Sequence, residues 1–391
     1  MKERILAFLV ILVFLAAGLF ISRRSVSFEE YAERIIKKCA KQGREVGCYD
    51  KEIPKLLASL SMEDVFKVTA LIQEKDRSYT YCHVLGHKLA GLETKKDPSK
   101  WREVVGRCPV GVCSNGCVHG AFQERYRADV LQGEEFEKAK NELKDVCEAR
   151  EGFNPTGLEQ GSCYHALGHL LMYISGADIR KSVASCDEVG LKKDGRDFRG
   201  LCYDGAFMQI FQPLEPEDIA LVFKVKQTKE TVRDFCSQFT SDMKTSCWTE
   251  SWPLFFEEII TPKGLINFCA NINGKGYESC LEDVLYVLPI QFRFEEAAVR
   301  DFCLGLPGAL RGRCFALFAV RLLEIDYRNV KRAVDFCQSN LAYDKEGVCF
   351  SQLAKNSDFI FSPDSEEFKE LCSLVPAPWQ EECLNGKNQE N

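Results

Sequence analysis

Along most of the chain, apolar residues recur every three to four positions in stretches of helical length, and the stretches come in pairs. The first member of a pair ends on a cysteine: VRDFC, LINFC, VRDFC, AVDFC and FKELC close at Cys236, Cys269, Cys303, Cys337 and Cys372. The second member begins beside another, as in TSCWTESW, ESCLEDVL, GRCFALFA and GVCFSQLA, which hold Cys247, Cys280, Cys314 and Cys349. The short segments between carry Gly, Asn, Asp and Lys, which suit a tight connection. The pattern predicts consecutive helix–turn–helix units.

Earlier cysteines extend both series. Cys39, Cys108, Cys147 and Cys186 end stretches, and Cys48, Cys117, Cys163 and Cys202 begin them; Cys383 completes the second series. The last five members of each series step by 33 to 35 residues, the period of a repeat array. Cys39 and Cys108 are 69 residues apart, two periods, so one more unit lies between them and holds Cys82. The count is ten units. The period relaxes between Cys202 and Cys247, where Pro213 and Pro216 mark an insertion.

A cysteine ending one helix and one beginning the next face each other across the turn, as a disulfide requires. The predicted bonds are Cys39–Cys48, Cys108–Cys117, Cys147–Cys163, Cys186–Cys202, Cys236–Cys247, Cys269–Cys280, Cys303–Cys314, Cys337–Cys349 and Cys372–Cys383. Cys82 and Cys113 are left over and are expected to pair with each other. Each short loop so closed contributes roughly 2–3 kcal/mol. A zinc knuckle from Cys108, Cys113, Cys117 and His119 is the alternative, but its spacing fits no regular zinc module.

The period and hairpin form resemble tetratricopeptide-type α-solenoids, above all disulfide-stapled ones. The resemblance covers nearly the whole body as architecture only; the Trp-Leu-Gly-Tyr signature of those repeats is absent, and no function carries over. The expected fold is all-α: a right-handed α-solenoid of about ten stapled hairpins, preceded by one transmembrane helix. The expected organisation is an anchor over 1–27, histidine-bearing repeats over 28–211, an insertion over 212–230, regular repeats over 231–384 and a disordered tail over 385–391.

The anchor rests on Ile5 to Ile21, an unbroken apolar run of 17 residues and just enough to span a bilayer as a helix. Lys2, Arg4, Arg23 and Arg24 flank it, so charge does not orient it. The cleavage site Leu15-Ala16-Ala17 is poor, which favours a retained anchor over a signal peptide. Twenty cysteines in local pairs imply an oxidising compartment, extracellular or periplasmic. A net charge of −7 argues against a nucleic-acid surface.

Candidate chemistry lies in the first half. The chain has five histidines. YCHVLGHKLAG holds His83 and His87; SCYHALGHLLM holds His165 and His169. Four-residue spacing puts each pair on one helix face. His119 falls in CVHGAFQE, whose counterpart CYDGAFMQ has Asp204 in its place. Aligned two residues beyond the second-series cysteines, His119, His165 and Asp204 line one surface, with Asp50 and Glu282 at the same register. Two three-ligand modules follow: His83, His87 and His119, and His165, His169 and Asp204. A tightly curved array would instead bring both to one dinuclear centre. Three ligands with an open position suit catalytic zinc, and two histidines with a carboxylate suit non-haem iron; copper is a further candidate. Covalent haem lacks its Cys-x-x-Cys-His motif. Glu124 is the candidate general base and Glu159 an outer support of the second pair. Gly86, Gly168, Gly120 and Gly205 at matching positions imply close helix approach or room for a bound group.

The histidines could also be hydrogen-bonded structural residues or line a metal-free polar pocket; their confinement to neighbouring units favours metal. Three functions are open: a metal-dependent enzyme (hydrolase or non-haem oxidoreductase) in which a metal-bound water attacks a substrate in the concave groove, a metal carrier, and a peptide-binding scaffold without metal. Trp248, Trp252, Phe255 and Phe256 read as core.

Overall fold

The computed structural model describes residues 26–41, 46–79, 81–109, 111–126, 130–213 and 216–385. The expected membrane anchor and the polar tail beyond Asn385 lie outside the described residues. Among those described, no helix is long and apolar enough to cross a membrane. The structure is all-helical, with three isolated antiparallel bridges and no strand among the described residues.

Two compact units are formed, Met1–Tyr79 and Thr80–Asn391. The first contains α1 (Phe28–Ala40), α2 (Val46–Glu52) and α3 (Met62–Lys75). Ser27 and Ser61 cap α1 and α3, each accepting from the backbone N–H three residues on. Tyr79 stacks on Tyr49 with centroids 4.6 Å apart and donates to Asp50 at 2.7 Å. Asp50, aligned with the ligand positions by register, is thus tied to a tyrosine within this unit.

The second unit continues with α4 (His83–Lys96), α5 (Trp101–Gly106), α6 (Gly116–Tyr126), α7 (Gly133–Leu143), α8 (Gly157–Ile174), α9 (Ile179–Gly190) and α10 (Arg199–Phe211). Then come α11 (Val232–Cys236), α12 (Ser241–Glu250), α13 (Pro262–Cys269), α14 (Lys275–Gln291), α15 (Glu296–Leu304) and α16 (Gly308–Ile325). Last are α17 (Val330–Asn340), α18 (Val348–Lys355), α19 (Glu366–Leu374) and α20 (Trp379–Asn385). From α4 onward each even-numbered helix packs on the next even-numbered one, and odd helices from α5, except α7, pack on the even helix that follows in their hairpin; α7 packs on α9. A continuous inner row is therefore backed by an outer one. The residues between α10 and α11, read as an insertion, carry a further short helix (Pro216–Val222) and tie back to α8 through Tyr173, whose hydroxyl donates to Asp218.

All twenty cysteines are bonded. Nine bonds close hairpins: Cys39–Cys48, Cys108–Cys117, Cys147–Cys163, Cys186–Cys202, Cys236–Cys247, Cys269–Cys280, Cys303–Cys314, Cys337–Cys349 and Cys372–Cys383, with Cα atoms 5.4 to 5.6 Å apart. The tenth, Cys82–Cys113, joins the start of α4 to the turn before α6. A polar staple runs beside two of them. The tyrosine following the second cysteine donates to the acid following the first: Tyr164 to Glu148, and Tyr203 to Asp187. Trp248 and Trp252 are buried, and the Trp248 indole donates to the Phe268 carbonyl at 2.9 Å, a packing role.

An open solenoid would leave its concave face free. Here the late helices return onto the early ones. The Tyr327 N–H donates to the Gly111 carbonyl at 3.3 Å, and Val112 bridges Asp326 in antiparallel fashion. Gly111 has φ +60° and faces the Tyr327 ring so closely that a Cβ there would lie 2.1 Å from it. The short helix Ser357–Ile360 packs on α8, where the Phe359 ring covers Gly157. The inner row is therefore closed by contacts between its late and early members rather than left as an open groove.

Candidate metal centre

The two histidine pairs stand on α4 and α8, members of the inner row, and each of these helices is clamped to the next even helix by backbone contact. A Cβ on Gly120 would lie 2.0 Å from the His87 carbonyl oxygen, and one on Gly116 2.2 Å from that of His83. In the second pair, a Cβ on Gly205 would lie 1.9 Å from the His165 carbonyl oxygen, and one on Gly168 2.1 Å from that of Cys202. The repeated glycines therefore serve close helix approach. They fix α4 against α6 and α8 against α10 at the turns that carry the imidazoles.

This clamping, with α6 packed on α8, gathers all five histidines. His83 and His87 have ring centroids 4.6 Å apart; His119 lies 4.9 and 5.0 Å from them. On its other side His119 lies 5.9 Å from His165 and 5.3 Å from His169, which are 5.0 Å apart. His83, His87 and His119 each offer a ligand atom within 4.8 Å of the others and form a group that could hold a metal ion.

The hydrogen bonds fix the ring faces. His83 Nδ1 lies 3.1 Å from the Ser114 carbonyl oxygen, which can only accept, so Nδ1 carries the proton and Nε2 presents its lone pair. His169 Nδ1 lies 2.6 Å from the Gln209 side-chain oxygen and is held in the same tautomer. In each pair the two Nε2 atoms converge, 3.0 Å apart for His83 and His87 and 3.2 Å for His165 and His169. Two nitrogens bound at 2.0–2.1 Å to one tetrahedral ion stand about 3.3 Å apart, so both pairs have the span of a chelate. His87 Nδ1 is buried and makes no well-formed hydrogen bond, with the Gln123 side chain close to the ring.

Burial dominates the electrostatics. Desolvation lowers the pKa of His83 and of His169 to about 4, and holds His87, His119 and His165 well below the ordinary imidazole range. At neutral pH the cluster is uncharged, the state in which imidazole binds a metal. Arg321, from α16, adds its positive charge near His83 and His165. The residue is 7 % exposed, and its guanidinium lies 4.3 Å from the Tyr286 ring centroid, donates to the Tyr286 hydroxyl and bonds Glu324 at 3.0 Å. Tyr81 stacks on His83 with centroids 5.9 Å apart.

Asp204 departs from its expected place. It is not in the group of potential ligands; its carboxylate is bonded by Ser246 on α12 and belongs with Glu250 and Asp283, on α12 and α14. Burial raises the Asp204 pKa to about 6 and, with the Asp204 charge, that of Asp283 to about 8; burial and the same neighbours push Glu250 up. Glu282, chosen by register, is exposed and pairs with Arg313 at 3.3 Å. The physical reason is helical phase: one residue turns a side chain by about 100°, so Asp283 faces inward where Glu282 cannot. Glu124 lies against Gly91 of α4 and outside the ligand group. Glu159 is half of a capping box at the start of α8, accepting from Thr156 N–H at 2.7 Å, and supports the helix rather than a histidine.

Gln209 and Arg321 were not foreseen. Gln209 lies seven residues, two helical turns, beyond Cys202, so it continues the inward face of α10; Arg321 stands likewise seven beyond Cys314. A search of inward positions past the first turn would have found both.

Comparison with protein-family models, with curated proteins and with solved structures finds no match to this chain. Fold and site therefore define only a class: a disulfide-stapled all-helical protein with a buried five-histidine cluster.

Proposed function

We propose that the chain is a membrane-anchored, extracytoplasmic helical-repeat protein of solenoid type that binds a transition metal through His83, His87 and His119, and that it works as a metal-dependent enzyme. Ten intrachain disulfides suggest the oxidising compartment. The observation that carries the metal reading is His87. Without a cation its Nε2–H has to donate to His83 Nε2, which leaves the buried Nδ1 as an acceptor with the Gln123 side chain nearby but no well-formed hydrogen bond. An unsatisfied buried polar atom costs about 1–3 kcal/mol. A cation between the two Nε2 lone pairs lets the His87 proton move to Nδ1, on the side of Gln123, and removes the conflict.

The donor set is imidazole alone. That supports zinc or copper over a facial-triad iron site, whose carboxylate Asp204 was expected to supply. Three neutral ligands leave coordination open to solvent or substrate. Arg321 is neutralised by its ion pair with Glu324 and supplies hydrogen-bond donors near the histidines. The closed inner row supports this enzyme reading over the peptide-binding alternative, which needs an accessible groove.

Elemental analysis of the purified full-length protein tests the assignment. We expect at least one transition-metal ion per chain, and its loss in His83→Ala/His87→Ala. Metal content equal in the two proteins would refute it.

A further inference from the structure

We propose that His165 and His169 hold a second metal ion and that His119 stands between the two sites, so that the centre is dinuclear. This rests on the metal-binding reading of the first site.

The second pair reproduces the chelating geometry of the first with independent residues. Its Nε2 atoms are 3.2 Å apart, against 3.0 Å in the first pair. In each pair one histidine has its Nδ1–H tied to an oxygen: His83 to Ser114, His169 to Gln209. Such outer hydrogen bonds are what orient metal-bound histidines and fix their tautomer. Without a metal the two nitrogens of the second pair share one N–H···N hydrogen bond, and a metal between them replaces it with two ligand bonds. Close helix approach at Gly168 and Gly205 holds the pair on a rigid framework.

His119 lies between the pairs. Its ring is 4.9 and 5.0 Å from the first pair and 5.3 and 5.9 Å from the second. A neutral imidazole has one lone-pair nitrogen, so His119 ligates one ion, that of the first pair, and its ring lines the second site without bridging. Asp204, the third ligand suggested by sequence, is engaged with Ser246. His165 keeps partial exposure while the other four histidines are 5 to 8 % exposed, so the second pair is the less buried of the two.

Cobalt(II) titrated into chelator-treated full-length protein tests the proposal, with d–d absorbance and elemental analysis as readouts. Wild type should take up two equivalents per chain. His165→Ala/His169→Ala should keep one, with native circular dichroism and no free thiol. Gln209→Leu, which leaves every ligand in place, should weaken the second equivalent about 10–100-fold and leave the first unchanged. Wild type binding one equivalent that depends on His83 and His87, or two that survive His165→Ala/His169→Ala, would overturn the second site while the first stands. Uptake of no cobalt would overturn the metal reading itself, and the second site with it.

Discussion

At the scale of single residues, spacing between backbones decides more than side-chain chemistry. Gly200 and Gly205 lie on the same helix. A Cβ at Gly200 meets nothing within 4 Å, whereas one at Gly205 would sit 1.9 Å from a carbonyl oxygen on α8. Gly200→Ala should therefore be neutral or stabilise by up to about 1 kcal/mol through helix propensity. Gly205→Ala should cost about 1–3 kcal/mol or more, because helix must part from helix. Thermal unfolding of both variants checks the contrast; equal midpoints would contradict the close approach. Asp204, Glu250 and Asp283 set the pH response. Burial and mutual repulsion make the folded protein hold these protons more tightly than the unfolded chain, which releases them near pH 4. Their stabilisation is thus complete below about pH 4 and is lost as pH rises through about 6 for Asp204 and about 8 for Asp283. Asp283→Asn should flatten that decline, matching wild type near pH 4 and exceeding its unfolding midpoint at pH 8. A variant less stable than wild type at pH 8 would count against the buried-acid account.

At the scale of the element, the hairpin is the repeating physical unit. A disulfide across a turn of this size restricts the unfolded chain by roughly 3 kcal/mol. The Tyr164–Glu148 and Tyr203–Asp187 bonds lie beside two of these bridges and fix the same crossing. Helices α8 and α10 bury apolar residues around most of their circumference, as inner-row helices covered on several sides should. The odd-numbered α7 and α9 keep an apolar stripe and a polar face. The pairing of helices was legible in the sequence, as apolar-periodic stretches that end at one cysteine series and begin at the other; which member lies inside was not. Nor was the direction of individual carboxylates. Asp204 shares the register of His119 and His165, yet Ser246 on the neighbouring helix offered it a hydrogen bond, and its charge settled among other acids on that side.

At the scale of the second unit as a whole, late helices close onto early ones. Tyr327 is the seam: its backbone bonds Gly111, its ring covers that glycine, and its hydroxyl donates to the Ile360 carbonyl at 2.7 Å. Tyr327→Ala should remove about 3–5 kcal/mol of packing and open the seam. Hydrogen exchange should quicken at residues 111–117 and 356–361 while α14 keeps its protection. Unchanged exchange at residues 111–117 would show that the seam is held elsewhere. The same closure brings Arg321 on α16 to the histidines of α4 and α8, which lie some 150 to 240 positions earlier in the chain.

The sequence by itself determined the local framework: helical hairpins, their period, the cysteine pairs across each turn and the glycines that let duplicated helices touch. These are short-range properties, set by hydrophobic period, turn composition and the reach of a disulfide. It also confined all five histidines to neighbouring units. The tertiary structure decided what those units make together: that the row closes, that His119 lies between the two pairs, that Asp204 turns to its fellow acids, and that Arg321 and Gln209 enter the site. Each of these depends on a small rotation or shift per helix summed over many helices, and no local pattern in the chain records that sum.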